Sequence, residues 1–175
     1  MSSKFRLRFP EADIPTWAAR FGDDGSDAEI LASVRLPVLA RGYLTRAEFL
    51  RLCAWKSPRT KPRCRTNSTH RVETITRAAL ATGDEVLKIN LLRLLDGVEW
   101  PTASTLLHFC DARPYPILDY RALWSLGISR PPSYTMAFWL EYLEVTRDLA
   151  ARLALPIRTV DKALWQFSRE NQRPA

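Results

Sequence analysis

An all-α fold in a single domain is predicted by three observations. Apolar residues recur at helical spacing, as in Val86, Leu87, Leu91, Leu94 and Leu95, and again in Phe138, Tyr142, Val145, Leu149 and Leu153. Ser or Thr followed three residues later by Glu occurs at Ser26–Glu29 and Thr45–Glu48, the pattern of a capping box. Nowhere do strand and helix patterns alternate as a βαβ chain would require, and no internal repeat is visible. A chain of 175 residues, 46% of them apolar, can bury a real core. The expectation is about eight helices in a domain over 26–175, preceded by an arm over 1–25.

The elements follow in order. Phe5, Leu7 and Phe9 alternate with Arg6 and Arg8, which suits a short strand or an extended arm. Trp17 and Phe21 lie one helical turn apart and are expected to dock on the body, and Asp23-Asp24-Gly25 reads as a loop. Ser26 caps a helix starting at Asp27, which Pro37 limits or kinks. Thr45 caps a second helix, stopped near Lys56 by Ser57-Pro58. The stretch WKSPRTKPRCRTN, with two prolines and no apolar period, reads as a loop. Ser68 caps a helix carrying Val72, Ile75, Ala79 and Leu80, and Gly83 ends it. The helix of Val86 to Leu95 comes next. After Arg130-Pro131-Pro132-Ser133, a linker, follows the long helix of Phe138 to Leu153. Pro156 separates it from a last helix holding Val160, Ala163, Leu164 and Phe167.

Charge is unevenly placed. The chain carries 26 basic and 19 acidic residues, net +7. From Phe49 to Val72 there are seven basic residues (Arg51, Lys56, Arg59, Lys61, Arg63, Arg65 and Arg71) and no acid. A basic segment on an otherwise balanced chain is either a solvated surface or the footprint of a polyanion. No apolar run approaches a membrane span. The N-terminus lacks the apolar core of a secretory signal. Three scattered cysteines, Cys53, Cys64 and Cys110, suggest a reducing compartment and exclude a four-cysteine iron–sulfur site. Cys64, set among Arg and Lys, is a candidate reactive thiol. His70 and His108 have no ligand partners at zinc spacing. These features point to a cytoplasmic, nucleoid-associated protein without zinc or an iron–sulfur cluster.

The most informative stretch runs from Leu91 to Gly127. An apolar helix ends at Leu95, the turn Asp96-Gly97-Val98-Glu99-Trp100 follows, and a second helix is expected to open at Pro101. A Pro-rich loop then delivers Asp119 at the start of a third helix, closed by Gly127. Leu95-Asp96-Gly97-Val98-Glu99-Trp100-Pro101-Thr102-Ala103, with Pro116-Ile117-Leu118-Asp119 eighteen residues on from Pro101, resembles the helix-hairpin-helix DNA glycosylase superfamily. The resemblance covers about residues 86–127. It implies that Asp119 is the catalytic carboxylate and that Gly97, Val98, Glu99 and Trp100 hold a DNA phosphate, with a monovalent cation on the turn's carbonyls. Pro101 stands where lyase-competent members carry their Schiff-base lysine, so the resemblance implies base release without strand cleavage. It places the wedge at Trp55-Lys56-Ser57 with Arg59, and Lys56 and Arg59 on phosphate; the basic run adds Lys61, Arg63 and Arg65 as expected DNA contacts. The resemblance places Trp165 and Gln166 at the base pocket.

The residues themselves leave alternatives open. A carboxylate near C1′ stabilises the oxocarbenium character of an N-glycosidic cleavage and orients water. An Asp before an apolar helix is equally an N-cap, and one residue can be both. Trp55 and Trp165 suit a core as well as a base, and Gln166 offers both donors and an acceptor to a base edge. The function expected is a monomeric, cofactor-free DNA glycosylase acting on duplex DNA, in repair or against modified foreign DNA. The alternative is a non-catalytic DNA- or RNA-binding module.

Overall fold

Residues 4–22, 25–130 and 133–172 are described by the structure, a computed structural model. Among them eleven α-helical segments follow one another: α1 (Ile14–Arg20), α2 (Ser26–Ile30), α3 (Leu36–Arg41), α4 (Arg46–Lys56), α5 (Lys61–Cys64), α6 (Thr69–Ala81), α7 (Glu85–Leu92), α8 (Trp100–Cys110), α9 (Tyr120–Ser125), α10 (Met136–Arg152) and α11 (Ile157–Asn171). No strand occurs among the described residues. The helices form two units. One is built from the described residues of Met1–Asp23 and Pro114–Ala175, the other from those of Asp24–Arg113. Asp23, Asp24, Pro131 and Pro132, from the expected loop and linker, lie outside the described residues.

In the Asp24–Arg113 unit α8 is the centre. Nine of its eleven residues are buried, polar ones included, so it is a helix surrounded by others rather than an amphipathic surface helix. It packs against α4, α7 and the turn between α2 and α3. Its buried Ser104 and Thr105 hydroxyls donate back to the Pro101 carbonyl at 2.9 Å. That removes the cost of burying them unpaired. Arg35 donates to the carbonyls of His108, Phe109 and Asp111 at the end of α8. A cation there satisfies carbonyls the helix cannot pair and meets the negative end of its dipole. Lys88, 1% exposed, forms an ion pair with the Asp111 carboxylate.

Local chemistry explains the other elements. Thr45 and Glu48 form the full capping box of α4, and Ser68 accepts from Arg71 N–H at the start of α6. Gly25, at φ +79°, caps α2, which opens at Ser26, one residue before its expected start. Pro37 does not end the helix. The chain passes from α2 through a π-helical turn, Leu31–Arg35, into α3. Pro37 has no N–H for the Ser33 carbonyl, and widening the preceding turn carries the helix past it. The stretch expected as a loop after Lys56 is folded: a 3-10 turn, Pro58–Thr60, leads into α5. Its organiser is Cys64, fully buried, a single apolar anchor too short to show as a period.

In the other unit the N-terminal residues are extended but form no strand. Arg6 N–H donates to Leu126 O at 2.8 Å and Arg8 N–H to Ser125 O at 2.9 Å. Phe5 packs edge-on to Phe138 of α10, and Phe9 lies among Trp17 and Phe167. Gly127, at φ +88°, lets the arm pass, since a Cβ there would sit 3.0 Å from Arg6 O. α11 packs on α1, α9 and α10 through Val160, Ala163 and Leu164.

Candidate functional site

Asp119 is the N-cap of α9. Its backbone is extended and its Oδ1 accepts from Arg121 N–H at 2.9 Å. The side chain is half-buried. The loop before it is held by two other helices. Ile117 N–H is shared between both carboxylate oxygens of Asp161 on α11, each at 3.2 Å, and Ile117 O accepts from the Tyr142 hydroxyl of α10 at 2.9 Å. Asp161 is 4% exposed and Tyr142 fully buried. Burial, with the negative charges of Asp161 and Asp119 added, raises the Tyr142 phenol well above its ordinary value and keeps it a donor. Burial likewise raises Tyr134, with a smaller contribution from Asp119. The loop that presents Asp119 is therefore fixed two residues upstream by a buried carboxylate and a buried phenol. Neither was legible in the sequence: Asp161 sits among the apolar positions of α11 like any surface acid.

The hairpin turn is also fixed from outside itself. Asn67, 1% exposed, donates from Nδ2 to Cys64 O and Asp96 O, and its Oδ1 accepts from Asp96 N–H, all at 2.9 Å. Thr66 donates to the Asp96 carboxylate at 2.9 Å, and Arg71 to Leu94 O at 2.6 Å. Gly97, at φ +79°, faces this segment: a Cβ on it would lie 2.8 Å from Cys64 Sγ and 2.9 Å from Cys64 N. The turn thus rests on the basic segment. Of the four turn residues expected on phosphate, Gly97, Val98 and Trp100 are buried and only Glu99 is exposed. Trp100 is the first helical residue in place of Pro101, and the Arg93 guanidinium lies 4.0 Å over its ring. Arg93 also pairs with Glu99 at 3.9 Å, which turns part of that acid's field from any anion at the turn.

The remaining candidates separate. Arg59, Lys61, Arg63 and Arg65 are exposed along the 3-10 turn, α5 and its C-cap, while Lys56 is half-buried at the end of α4. Trp55 is half-buried and packs edge-on against Phe109, ring centroids 5.2 Å apart. Trp165 is half-buried and carries Arg121 and Arg169 over its ring. Gln166 points inward, 6% exposed, and donates to Glu170 at 2.6 Å. Its Oε1 is buried and has no hydrogen-bond partner among the described residues. Cys64 is corrected as a reactive thiol, being fully buried beneath Gly97. Among the described residues no group of three metal-ligating side chains occurs, and no helix is long and apolar enough to cross a membrane.

No family model, curated protein or solved structure matches the chain.

Proposed function

We propose that this protein is a monofunctional DNA glycosylase, hydrolysing the N-glycosidic bond of a damaged or modified base in duplex DNA. The observation that carries the reading is the support beneath Asp119. A plain N-cap of a six-residue helix needs one hydrogen bond, which Arg121 N–H supplies. Here a buried carboxylate and a buried phenol from two further helices also fix the loop just upstream. Such support from behind is what a catalytic side chain requires to stay in one geometry. In the reaction, the C1′–N bond breaks and its electron pair leaves with the base, which takes up a proton. Water oxygen bonds to C1′ and gives up a proton. Asp119 stabilises the cationic sugar and orients or deprotonates the water. Arg59, Lys61, Arg63 and Arg65 supply charge for the phosphates.

The test is Asp119→Asn with genomic DNAs carrying different base modifications, released bases being read by mass spectrometry. Asn keeps the cap, so folding and DNA affinity are retained. Excision falls by about 10²-fold or more, the scale of a lost positioned carboxylate. With Pro101 lacking an amine, wild-type product strands stay uncut and borohydride traps no covalent complex. Normal excision by folded Asp119→Asn removes the residue from the mechanism. No release of any base by the wild type would favour the rival reading, a non-catalytic nucleic-acid-binding module. That rival draws its support from the complete N-cap at Asp119.

A further inference from the structure

We propose that the cavity where α3, α6 and α8 end binds a small neutral ring compound that donates an N–H to it. The cavity measures about 220 Å³. It lies between Val38, Leu39 and Gly42 at the end of α3, Leu80 at the end of α6, and Cys110 and Asp111 at the end of α8. Leu39 is 42% exposed, an apolar side chain shared between the cavity and solvent. The polar wall is firmly held. Asp111 is 6% exposed and Lys88 1% exposed. Lys88 ties two of the helix ends together, pairing with the Asp111 carboxylate and donating to Leu80 O at 3.4 Å.

The class of ligand follows from what this wall offers. A helix end presents carbonyls, because its last four have no partner within the helix. The N–H groups here are engaged. Gly42 N–H donates to Val38 O at 2.7 Å and Asp111 N–H to Leu107 O at 3.0 Å. Those of Leu80 and Cys110 lie in the last turns of their helices. Asp111 adds a carboxylate with room for about four hydrogen bonds, of which Lys88 and the Arg113 N–H take two. Three helix ends and a carboxylate thus offer acceptors, and the ligand must donate. Charge then decides between an ammonium and a neutral N–H. Lys88 and Arg113 pair with Asp111 and Glu85, two cations against two carboxylates. Arg35 already meets the dipole of α8, donating to three of its last carbonyls. A further full charge would find no counter-charge, so the ligand is neutral. Val38, Leu39 and Leu80 supply the apolar wall for its ring. A cavity of about 150 Å³ holds benzene, so this one has room for two fused rings. The inference uses neither Asp119 nor the basic segment, so it stands or falls apart from the glycosylase reading.

Indole and benzofuran are the probes. They share size and shape, but benzofuran has a ring oxygen where indole has its N–H. Each is titrated against the full chain, with binding read by saturation-transfer NMR on the probe. Indole is expected to bind about tenfold tighter or more, the scale of one net hydrogen bond. Leu39→Ala, at a part-exposed wall position, is expected to weaken indole by roughly fivefold or more. Leu80→Trp, which fills the cavity, is expected to abolish its binding. Circular dichroism establishes that the variants fold, and Leu39→Ala decides alone if Leu80→Trp does not. No indole binding up to its solubility overturns the inference. So does benzofuran binding as tightly as indole, or indole binding that no folded variant weakens. Tighter binding of tryptamine, an indole bearing an ammonium group, would overturn the neutral class of ligand.

Discussion

Replacing Gly97 by Ala tests whether the hairpin turn rests closely on the basic segment. The perturbation is a single methyl. Two costs follow from the geometry. At φ +79° a residue with a Cβ is strained, by roughly 1–2 kcal/mol. The new Cβ also meets Cys64 Sγ at 2.8 Å, Cys64 N at 2.9 Å and Arg63 Cβ at 3.1 Å. Overpacking of a tight site adds about 1–3 kcal/mol. Together they give about 2–5 kcal/mol, and for a chain of this size each kcal/mol moves the melting point by about 2–4 °C. A fall of about 5–20 °C is therefore expected, read by circular dichroism with urea unfolding as a second measure. Cys64→Ala in the Gly97→Ala background sharpens the test. It removes the sulfur but neither the Cys64 N–H nor the left-handed backbone, so only part of the stability returns. A Gly97→Ala protein within about 0.5 kcal/mol of wild type, the range of an ordinary surface change, would refute the close approach, as would full recovery on removing the sulfur.

Three further outcomes are expected. Lys88→Met leaves the buried Asp111 carboxylate with Arg113 alone, whose N–H donates to Oδ1 at 2.9 Å and whose guanidinium lies 3.5 Å away, and costs about 1–3 kcal/mol in urea unfolding; adding Asp111→Leu recovers part of it, because a buried pair is weak against an apolar replacement. Asp161→Ala leaves Ile117 N–H without its acceptor, at about 1–3 kcal/mol; in the glycosylase reading it also lowers kcat more than it raises KM, whereas equal loss of fold and activity would give Asp161 a purely structural role. All three thiols are buried, and burial raises both Cys53 and Cys110 well above the ordinary thiol value. Disulfide reagents should therefore leave the native protein almost unlabelled at neutral pH and take up three equivalents once it is denatured, and a fast native thiol would contradict the packing at Cys64.

What the sequence discloses depends on the range of the interaction. Local devices are legible: the Thr45–Glu48 box, the Ser68 cap, the cap at Asp119, the helix stops at Ser57 and Gly127. Each involves residues within four positions of one another, where spacing alone constrains geometry. The apolar stripe of α10 is legible for the same reason. Asn67 bonds a turn 29 residues away, Asp161 a loop 44 residues away, and Lys88 a carboxylate 23 residues away. Nothing local distinguishes these polar residues from surface ones, because it is the folded partner that offsets the cost of each burial. The π-helical turn before Pro37 and the folding of residues 58–64 escape for a related reason: a single proline or cysteine carries no period.

In the DNA-binding reading, the packing of the turn onto residues 63–67 changes the part the basic segment plays. In a hairpin whose apex faces solvent, backbone N–H groups of the apex are the anion site. Here the Gly97 face is closed by Cys64, and Asn67 occupies both backbone groups of Asp96. The accessible charge lies instead on the segment that the turn holds: Arg59, Lys61, Arg63 and Arg65. Arg46 braces the same segment, donating to Arg65 O and Asn67 O. Such bracing does not add charge. In the DNA-binding reading it would lower the entropy lost when the arginines engage a strand, so each one would contribute more to affinity than on a mobile loop. In the DNA-binding reading the hairpin therefore acts as a scaffold, and the cations beside it do the binding. Disrupting the turn should then weaken affinity while leaving the salt slope largely in place, since the charges remain. Removing the arginines should flatten the slope in a protein whose fold is intact.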